Sequence, residues 1–224
     1  MGLMVAPSVL AVWDKSGGDV NEVVRMARMA RGAGADWIHV DVMDGRFVPA
    51  KTFGPEMVQA LRHVGPLDVH LMVERPEDVV ARYVEAGADR VVFHPRASDD
   101  VGGTLRKIAA MGAVAGLALD VDEDVSWLEP WVEDPEQMLV QQVLVMTVKA
   151  GAGGQGFRED MLAKINHVRR LVGPRVAVVA DGGVTPEHAA KCQVAGASCV
   201  VAGSAVFNAP DVAAAIAALR CDGA

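Results

Sequence analysis

Four times along this 224-residue chain an amphipathic stretch ends in Gly-Ala and passes at once into a short β-rich run. The junctions are Gly34-Ala35-Asp36 before WIHVDV, Gly87-Ala88-Asp89 before RVVF, Gly112-Ala113 before VAGLAL and Gly196-Ala197-Ser198 before CVVA. Glycine just past a helix can adopt the left-handed conformation that ends it, so each junction reads as a helix-to-strand turn. The preceding segments show helical spacing, as in Val20, Val23, Val24 and Ala27, or Val79, Val80, Tyr83 and Val84. Thr185-Pro186 and Asn208-Ala209-Pro210 read as helix starts with a capping side chain and a proline in the first turn. Strands are expected at residues 4–10, 36–43, 67–73, 90–94, 113–119, 139–148, 175–181 and 198–203, with eight helical stretches between and after them. Such alternation specifies a parallel sheet, and eight units in this length fit a single (β/α)8 TIM barrel spanning 1–224. An open, doubly wound sheet is the other architecture the pattern allows.

Composition narrows the partners. A hydrophobic fraction of 51% with 22% charged residues excludes disorder as the main state. Against 21 Lys and Arg stand 29 Asp and Glu, a net charge of −8 that disfavours nucleic acid and anionic membranes, so neither is expected as a partner. No apolar run approaches the ~18 residues of a membrane span, and nothing near the first basic residue, Lys15, resembles a targeting segment. A cytoplasmic protein is expected. Cys192, Cys199 and Cys221 show no CxxC spacing and read as reduced packing residues, Cys221 in an exposed tail. Apolar stripes on outer barrel helices are compatible with a homo-oligomer.

In barrels of this kind the chemistry sits at the C-terminal ends of strands. Side chains alternate along a strand, so His39 and Asp41 share one face of the second strand, and Asp68, His70 and Met72 share one face of the third. Strand seven ends in Asp181 and strand one carries Ser8, while Val40, Val42, Val69, Leu71, Val178 and Ala180 face the helices. Any one of these polar residues could be a satisfied barrel-interior group. Several ionisable groups buried together are costly unless they pair or hold a cation, and a set of two histidines and two carboxylates suits one divalent ion: zinc, iron, manganese or cobalt. Met43 and Met72 read as packing residues at its border. Three glycine-rich loops follow adjacent strands: Gly151-Ala152-Gly153-Gly154-Gln155-Gly156, Gly182-Gly183 and Gly203-Ser204. Glycine lets backbone N–H groups approach an anion, and barrels often bind phosphate after strands seven and eight.

The run from Asp36 to Pro49, which reads DWIHVDVMDGRFVP, resembles the signature of ribulose-phosphate 3-epimerases. So do Ala6-Pro7-Ser8-Val9-Leu10, Asp68-Val69-His70-Leu71-Met72-Val73, Gly153-Gly154-Gln155-Gly156-Phe157, Asp181-Gly182-Gly183-Val184 and Val201-Ala202-Gly203-Ser204-Ala205, in the family's order. The resemblance implies a metal-dependent barrel interconverting ribulose 5-phosphate and xylulose 5-phosphate. By it His39, Asp41, His70 and Asp181 match metal ligands, and Asp41 and Asp181 match the acid/base pair. Ser8, His70, Gly151, Ala152, Gly153, Gly154, Asp181, Gly182, Gly183, Gly203 and Ser204 match contacts to a phosphorylated ketose. The chemistry suits the residues: inverting a carbon beside a ketone needs one carboxylate on each face, with a cation stabilising charge on the substrate oxygens.

Departures from the family pattern are Ala50, Arg96, the segment Asp120-Val121-Asp122-Glu123-Asp124, Lys149-Ala150 and Ala152. They leave open another ketose phosphate such as allulose 6-phosphate, a lyase or decarboxylase on the same barrel, or a sensor that binds sugar phosphate without turnover. His94, lacking a partner at ligand spacing, reads as a structural hydrogen-bonding group, and His63, His167 and His188 as solvated helix residues. Eight of the 29 acids fall within residues 120–136, which hold no Lys or Arg. This segment reads as a solvated helix face with Trp127 and Trp131 packed inward at i, i+4 spacing; alternatively it shapes a wall of the sugar pocket or a subunit contact.

Overall fold

Valine and its apolar neighbours dominate the strand candidates, the pattern of strands covered on both sides. All eight form in the computed structural model, which describes residues 2–132 and 139–220. They are β1 (Met4–Pro7), β2 (Ile38–Met43), β3 (Leu67–Met72), β4 (Arg90–Phe93), β5 (Val114–Leu119), β6 (Gln142–Met146), β7 (Ala177–Asp181) and β8 (Cys199–Ala202). Every pairing is parallel, in the order β1-β8-β7-β6-β5-β4-β3-β2. An open sheet would leave β1 and β2 at opposite edges. Here a parallel bridge joins Ser8 to His39, and the N–H groups of Val9 and Asp36 donate to the carbonyls of His39 and Val5. The ring is closed, and the chain is a (β/α)8 TIM barrel.

Ten α-helices lie among the described residues, against the eight expected: α1 (Leu10–Ser16), α2 (Val20–Gly32), α3 (Pro55–Leu61), α4 (Pro76–Ala86), α5 (Val101–Ala110), α6 (Glu129–Val132), α7 (Met161–Val172), α8 (Pro186–Ala195), α9 (Ser204–Phe207) and α10 (Val212–Arg220). The two extra ones arise where the chain after β1 and after β8 makes a short helix before its longer one. Gly34, Gly87, Gly112 and Gly196 all have positive φ, as the junction motif requires. The Thr185 hydroxyl caps α8 by accepting from His188 N–H. The last helix is capped differently from the reading of Asn208-Ala209-Pro210: Asp211 accepts from the N–H groups of Ala213 and Ala214, because its carboxylate reaches the first-turn donors. No helix among the described residues is long and apolar enough to cross a membrane.

The barrel interior is packed to the backbone. A Cβ at Gly116 of β5 would lie 2.6 Å from both the Gln142 carbonyl oxygen and Val92 Cγ1, so only glycine fits. Cys192 and Cys199 are buried as expected, and Cys221 lies outside the described residues.

The acidic segment is not one solvated helix face. Asp120 and Glu123 are buried, because partners are at hand. Lys149 Nζ lies 2.8 Å from Asp120 Oδ2, the N–H groups of Val121 and Ala150 donate to Asp120 Oδ1, and Arg96 Nε lies 2.7 Å from Glu123 Oε1. A 3-10 turn over Val125–Leu128 precedes α6, so the two tryptophans do not share one helical face. Trp127 is 46% exposed, whereas Trp131 packs against Gly102. Glu133, Asp134 and Glu136 lie outside the described residues.

Candidate active site

Register in the parallel ladder decides which side chains meet. His39 pairs with Asp68 and Asp41 with His70 across β2 and β3, so four polar residues stack on the inner face of two adjacent strands. Asp181, last residue of β7, reaches the same point through the lumen: its Oδ2 is 3.6 Å from both His39 Nε2 and His70 Nδ1. Asp41 Oδ1 lies 3.2 Å from His39 Nε2 and 3.4 Å from His70 Nδ1. One donor atom from each of His39, Asp41, His70 and Asp181 falls within 4.8 Å of the others, and all four residues are buried. This group could hold a metal ion.

Whether the residues suit a cation can be judged from their hydrogen bonds. His39 Nδ1 is 2.9 Å from Asp68 Oδ2, which keeps a ring proton on Nδ1 and turns Nε2, the nitrogen a cation would take, toward the carboxylates. His70 Nδ1 is buried with no hydrogen-bond partner, although two carboxylates face it. An unpartnered buried lone pair beside two anionic oxygens fits a cation ligand, and the mixed nitrogen and oxygen set suits a first-row divalent metal.

The electrostatics are those of a tightly paired buried cluster. Burial alone would push the His39 imidazole down, but Asp41, Asp68 and Asp181 outweigh it and hold His39 well above the ordinary histidine range. Burial likewise opposes protonation of His70, and Asp181 and Asp41 overcome it. Asp41 is driven far below the carboxylate range because His39 and His70 outweigh its desolvation. Asp41 is therefore ionised at neutral pH, the state needed of a general base or a metal ligand.

Two threonines brace the backbone at the two aspartates, and sequence reading missed both. Thr52 Oγ1 donates to the Asp41 carbonyl and accepts from Met43 N–H. Thr147 N–H donates to the Asp181 carbonyl and its hydroxyl donates to the Gly182 carbonyl. Ser8 Oγ donates to Asp41 Oδ2 at 2.6 Å, orienting the carboxylate as well as facing the pocket.

Above the cluster opens a cavity of about 980 Å³. Ser8, Asp41, Asp181, Gly151 to Gly154 with Ala152, Gly182, Gly183, Gly203 and Ser204 all line it, while His39 and His70 lie wholly buried and do not. The glycines bring the loops after β6 and β7 into backbone contact: Gly183, at φ +64°, would place a Cβ 2.6 Å from Phe157 N and 2.7 Å from the Gln155 carbonyl. Gln155 pins the first loop by donating to the carbonyls of Lys149 and Ala152. His188 is not a solvated helix residue: it lines the cavity, stacked on Phe157 with ring centroids 4.2 Å apart, and its Nδ1 is 3.2 Å from the Gly183 carbonyl. Its position in the first turn of α8 could have flagged it. His63 and His167 are exposed, as expected. His94 is buried with Nε2 3.0 Å from His70 Nε2, a structural contact that spacing along the chain could not reveal.

Residues 4–207 match the model of the ribulose-phosphate 3-epimerase family. The chain belongs to that family. A chloroplastic ribulose-5-phosphate-3-epimerase of Arabidopsis thaliana is 43% identical over 97% of this chain and 76% of the plant protein. Ribulose-phosphate 3-epimerases of Mycobacterium bovis and Bacillus subtilis are 40% and 38% identical, over 98% and 97% of this chain and 92% and 98% of theirs. Among solved structures, a 3-hexulose-6-phosphate synthase superposes with a TM-score of 0.64 at 22% identity, covering 100% of both chains. An orotidine 5'-phosphate decarboxylase from Pyrococcus horikoshii does so with a TM-score of 0.67 at 15% identity, covering 97% of both chains. At such identities these two matches speak for the barrel alone.

Proposed function

We propose that this chain is an isomerase that inverts carbon 3 of a ketose phosphate, interconverting D-ribulose 5-phosphate and D-xylulose 5-phosphate. One observation carries the reading: two carboxylates from different strands, Asp41 and Asp181, converge on a buried histidine pair at the floor of a cavity whose other wall is glycine-rich backbone. In the direction that forms xylulose 5-phosphate, Asp41 removes the carbon 3 proton on one face. Asp181 returns a proton to the opposite face, and the roles exchange in reverse. Ser8 keeps the Asp41 carboxylate in place during that transfer, while Thr52 and Thr147 hold the backbone of Asp41 and Asp181. His39 Nε2, His70 Nδ1, Asp41 and Asp181 would hold one divalent cation, either zinc, iron, manganese or cobalt. When bound, the cation supplies positive charge where negative charge develops on the substrate oxygens. The phosphate would rest on the backbone of Gly151 to Gly154, Gly182, Gly183, Gly203 and Ser204.

The departures bear on the substrate. Arg96, Asp120, Glu123 and Lys149 are occupied with one another and do not line the cavity, where Ala152 is the single departure among the lining residues. That favours the pentulose phosphate over allulose 6-phosphate. The test is a kcat/KM comparison of the two substrates with the metal-loaded protein. Ribulose 5-phosphate is expected to be preferred. Preference for allulose 6-phosphate would move the assignment to that substrate, and binding of both without turnover of either would make the chain a sensor.

A further inference from the structure

Each histidine of the cluster is backed by a chain of buried polar side chains, and both chains end on an arginine. Behind His39 the chain runs through Asp68, whose Oδ1 accepts from Gln142 Nε2 at 2.8 Å, to Arg90, whose Nη1 donates to Gln142 Oε1 at 3.0 Å. Behind His70 it runs through His94 to Glu123, whose Oε2 is 3.4 Å from His94 Nδ1, and on to Arg96, whose Nε is 2.7 Å from Glu123 Oε1. Phe47 holds this second chain together, with the His94 ring 4.9 Å from its centroid and the Arg96 guanidinium 4.7 Å from it.

Proton counting gives the second chain a direction. Two imidazole nitrogens 3.0 Å apart need one proton between them, so one of His70 Nε2 and His94 Nε2 donates and the other accepts. If His70 offers the Nδ1 lone pair to a cation, its proton lies on Nε2, and His94 Nε2 must accept it. The proton of a neutral His94 then lies on Nδ1, which faces Glu123 Oε2 as its acceptor among the described residues. Glu123 is itself fixed, since the same oxygen accepts from Asp120 N–H at 2.6 Å. Without a carboxylate there, His94 is free to carry its proton on Nε2. That proton would force His70 to protonate Nδ1, the atom that faces Asp41 and Asp181.

We infer that Glu123, held by Arg96, is a positioning residue that sets the tautomer of His70 through His94 and so tunes the affinity of the cluster for a divalent cation. The inference rests on the proposed reading of the four-residue cluster as a cation site. It assigns to the acidic segment after β5 a task that does not require it to touch substrate.

The experiment measures zinc affinity of the full chain by competition with a chromogenic chelator, for the parent, Glu123→Gln and Glu123→Leu, alongside the unfolding midpoint of each metal-free protein. Outer-shell partners of metal ligands typically change affinity by about 10–100-fold, and Glu123→Leu is expected within that range. Glu123→Gln keeps the shape and an acceptor for Asp120 N–H but loses the charge. Its neutral amide oxygen accepts more weakly from His94 Nδ1–H, so it is expected to bind zinc several-fold more weakly, with a metal-free midpoint lowered less than that of Glu123→Leu. A purely structural role predicts a lowered metal-free midpoint with zinc affinity equal to the parent's, and that result overturns the inference. A parent that binds no zinc, iron, manganese or cobalt overturns the cation-site reading and this inference with it. A parent that binds one of them while both variants bind it equally tightly overturns this inference alone.

Discussion

The two halves of the barrel mouth are built on opposite principles. On one side His39, Asp41, His70 and Asp181 stand on strands, fixed by ladder register and backed by buried hydrogen bonds. On the other, the loops after β6, β7 and β8 present glycine backbone to the cavity, with Gly151, Gly154, Gly182 and Gly183 at positive φ. Proton transfer needs carboxylates held at fixed positions and fixed charge, which strands supply. An anion needs several N–H groups brought close together, which glycine backbone favours. Losses on the strand side should therefore fall on kcat, and losses on the loop side on KM.

The largest expected effect breaks the strand side. Asp41→Asn and Asp181→Asn, each assayed with bound metal verified, should lower kcat by roughly 10²–10⁴-fold while the phosphate end still binds substrate. Undiminished epimerisation by Asp41→Asn with metal in place would remove it from the acid/base role. Next is the loop side. Gly183→Ala adds a Cβ that would lie 2.6 Å from Phe157 N at a φ of +64°. Strain of about 1–2 kcal/mol or more at such a position should raise KM by about tenfold, with kcat little changed. Gly154→Ala sharpens the comparison, because its φ is +74° but nothing lies within 4 Å of the added Cβ. Conformational strain alone remains, and a KM increase of only a few fold is expected.

The smallest effect concerns the acidic segment after β5, behind the cavity lining. Burial would raise the Asp120 carboxyl, but Lys149 and the N–H groups of Val121 and Ala150 outweigh it and hold it below the ordinary carboxylate range. A carboxylate whose pKa is depressed by folding stabilises the native state above its unfolded pKa, and that contribution fades as pH falls through the folded value. Asp120→Asn should thus cost about 1–2 kcal/mol at pH 7. The gap between variant and parent should close in unfolding curves taken below about pH 4.

Much of the strand side was legible in the sequence, because a period of two along β2 and β3 is enough to place His39 with Asp41 and Asp68 with His70. The glycine junctions likewise announced the barrel. What escaped was fixed by distance in space. His94 meets His70 only because β3 and β4 pair in register, and Thr52 and Thr147 reach their carbonyls through loop geometry that no spacing encodes. The acidic segment misled for a related reason. Its partners Arg96 and Lys149 come from the loops after β4 and β6, so local composition suggested a solvated face where the fold buries Asp120 and Glu123. Those same positions are departures from the family pattern, and they exchange contacts with one another rather than with the cavity.

The central claim, that Asp41 and Asp181 act on opposite faces of one carbon, is tested most directly in deuterated water. Metal-loaded protein is given protiated ribulose 5-phosphate, and both sugars are examined by NMR at the earliest turnovers. Two separate carboxylates predict xylulose 5-phosphate carrying deuterium at carbon 3 from the outset, because the group that returns the proton is not the one that removed it. Xylulose 5-phosphate that retains the original hydrogen in those first turnovers would contradict the account.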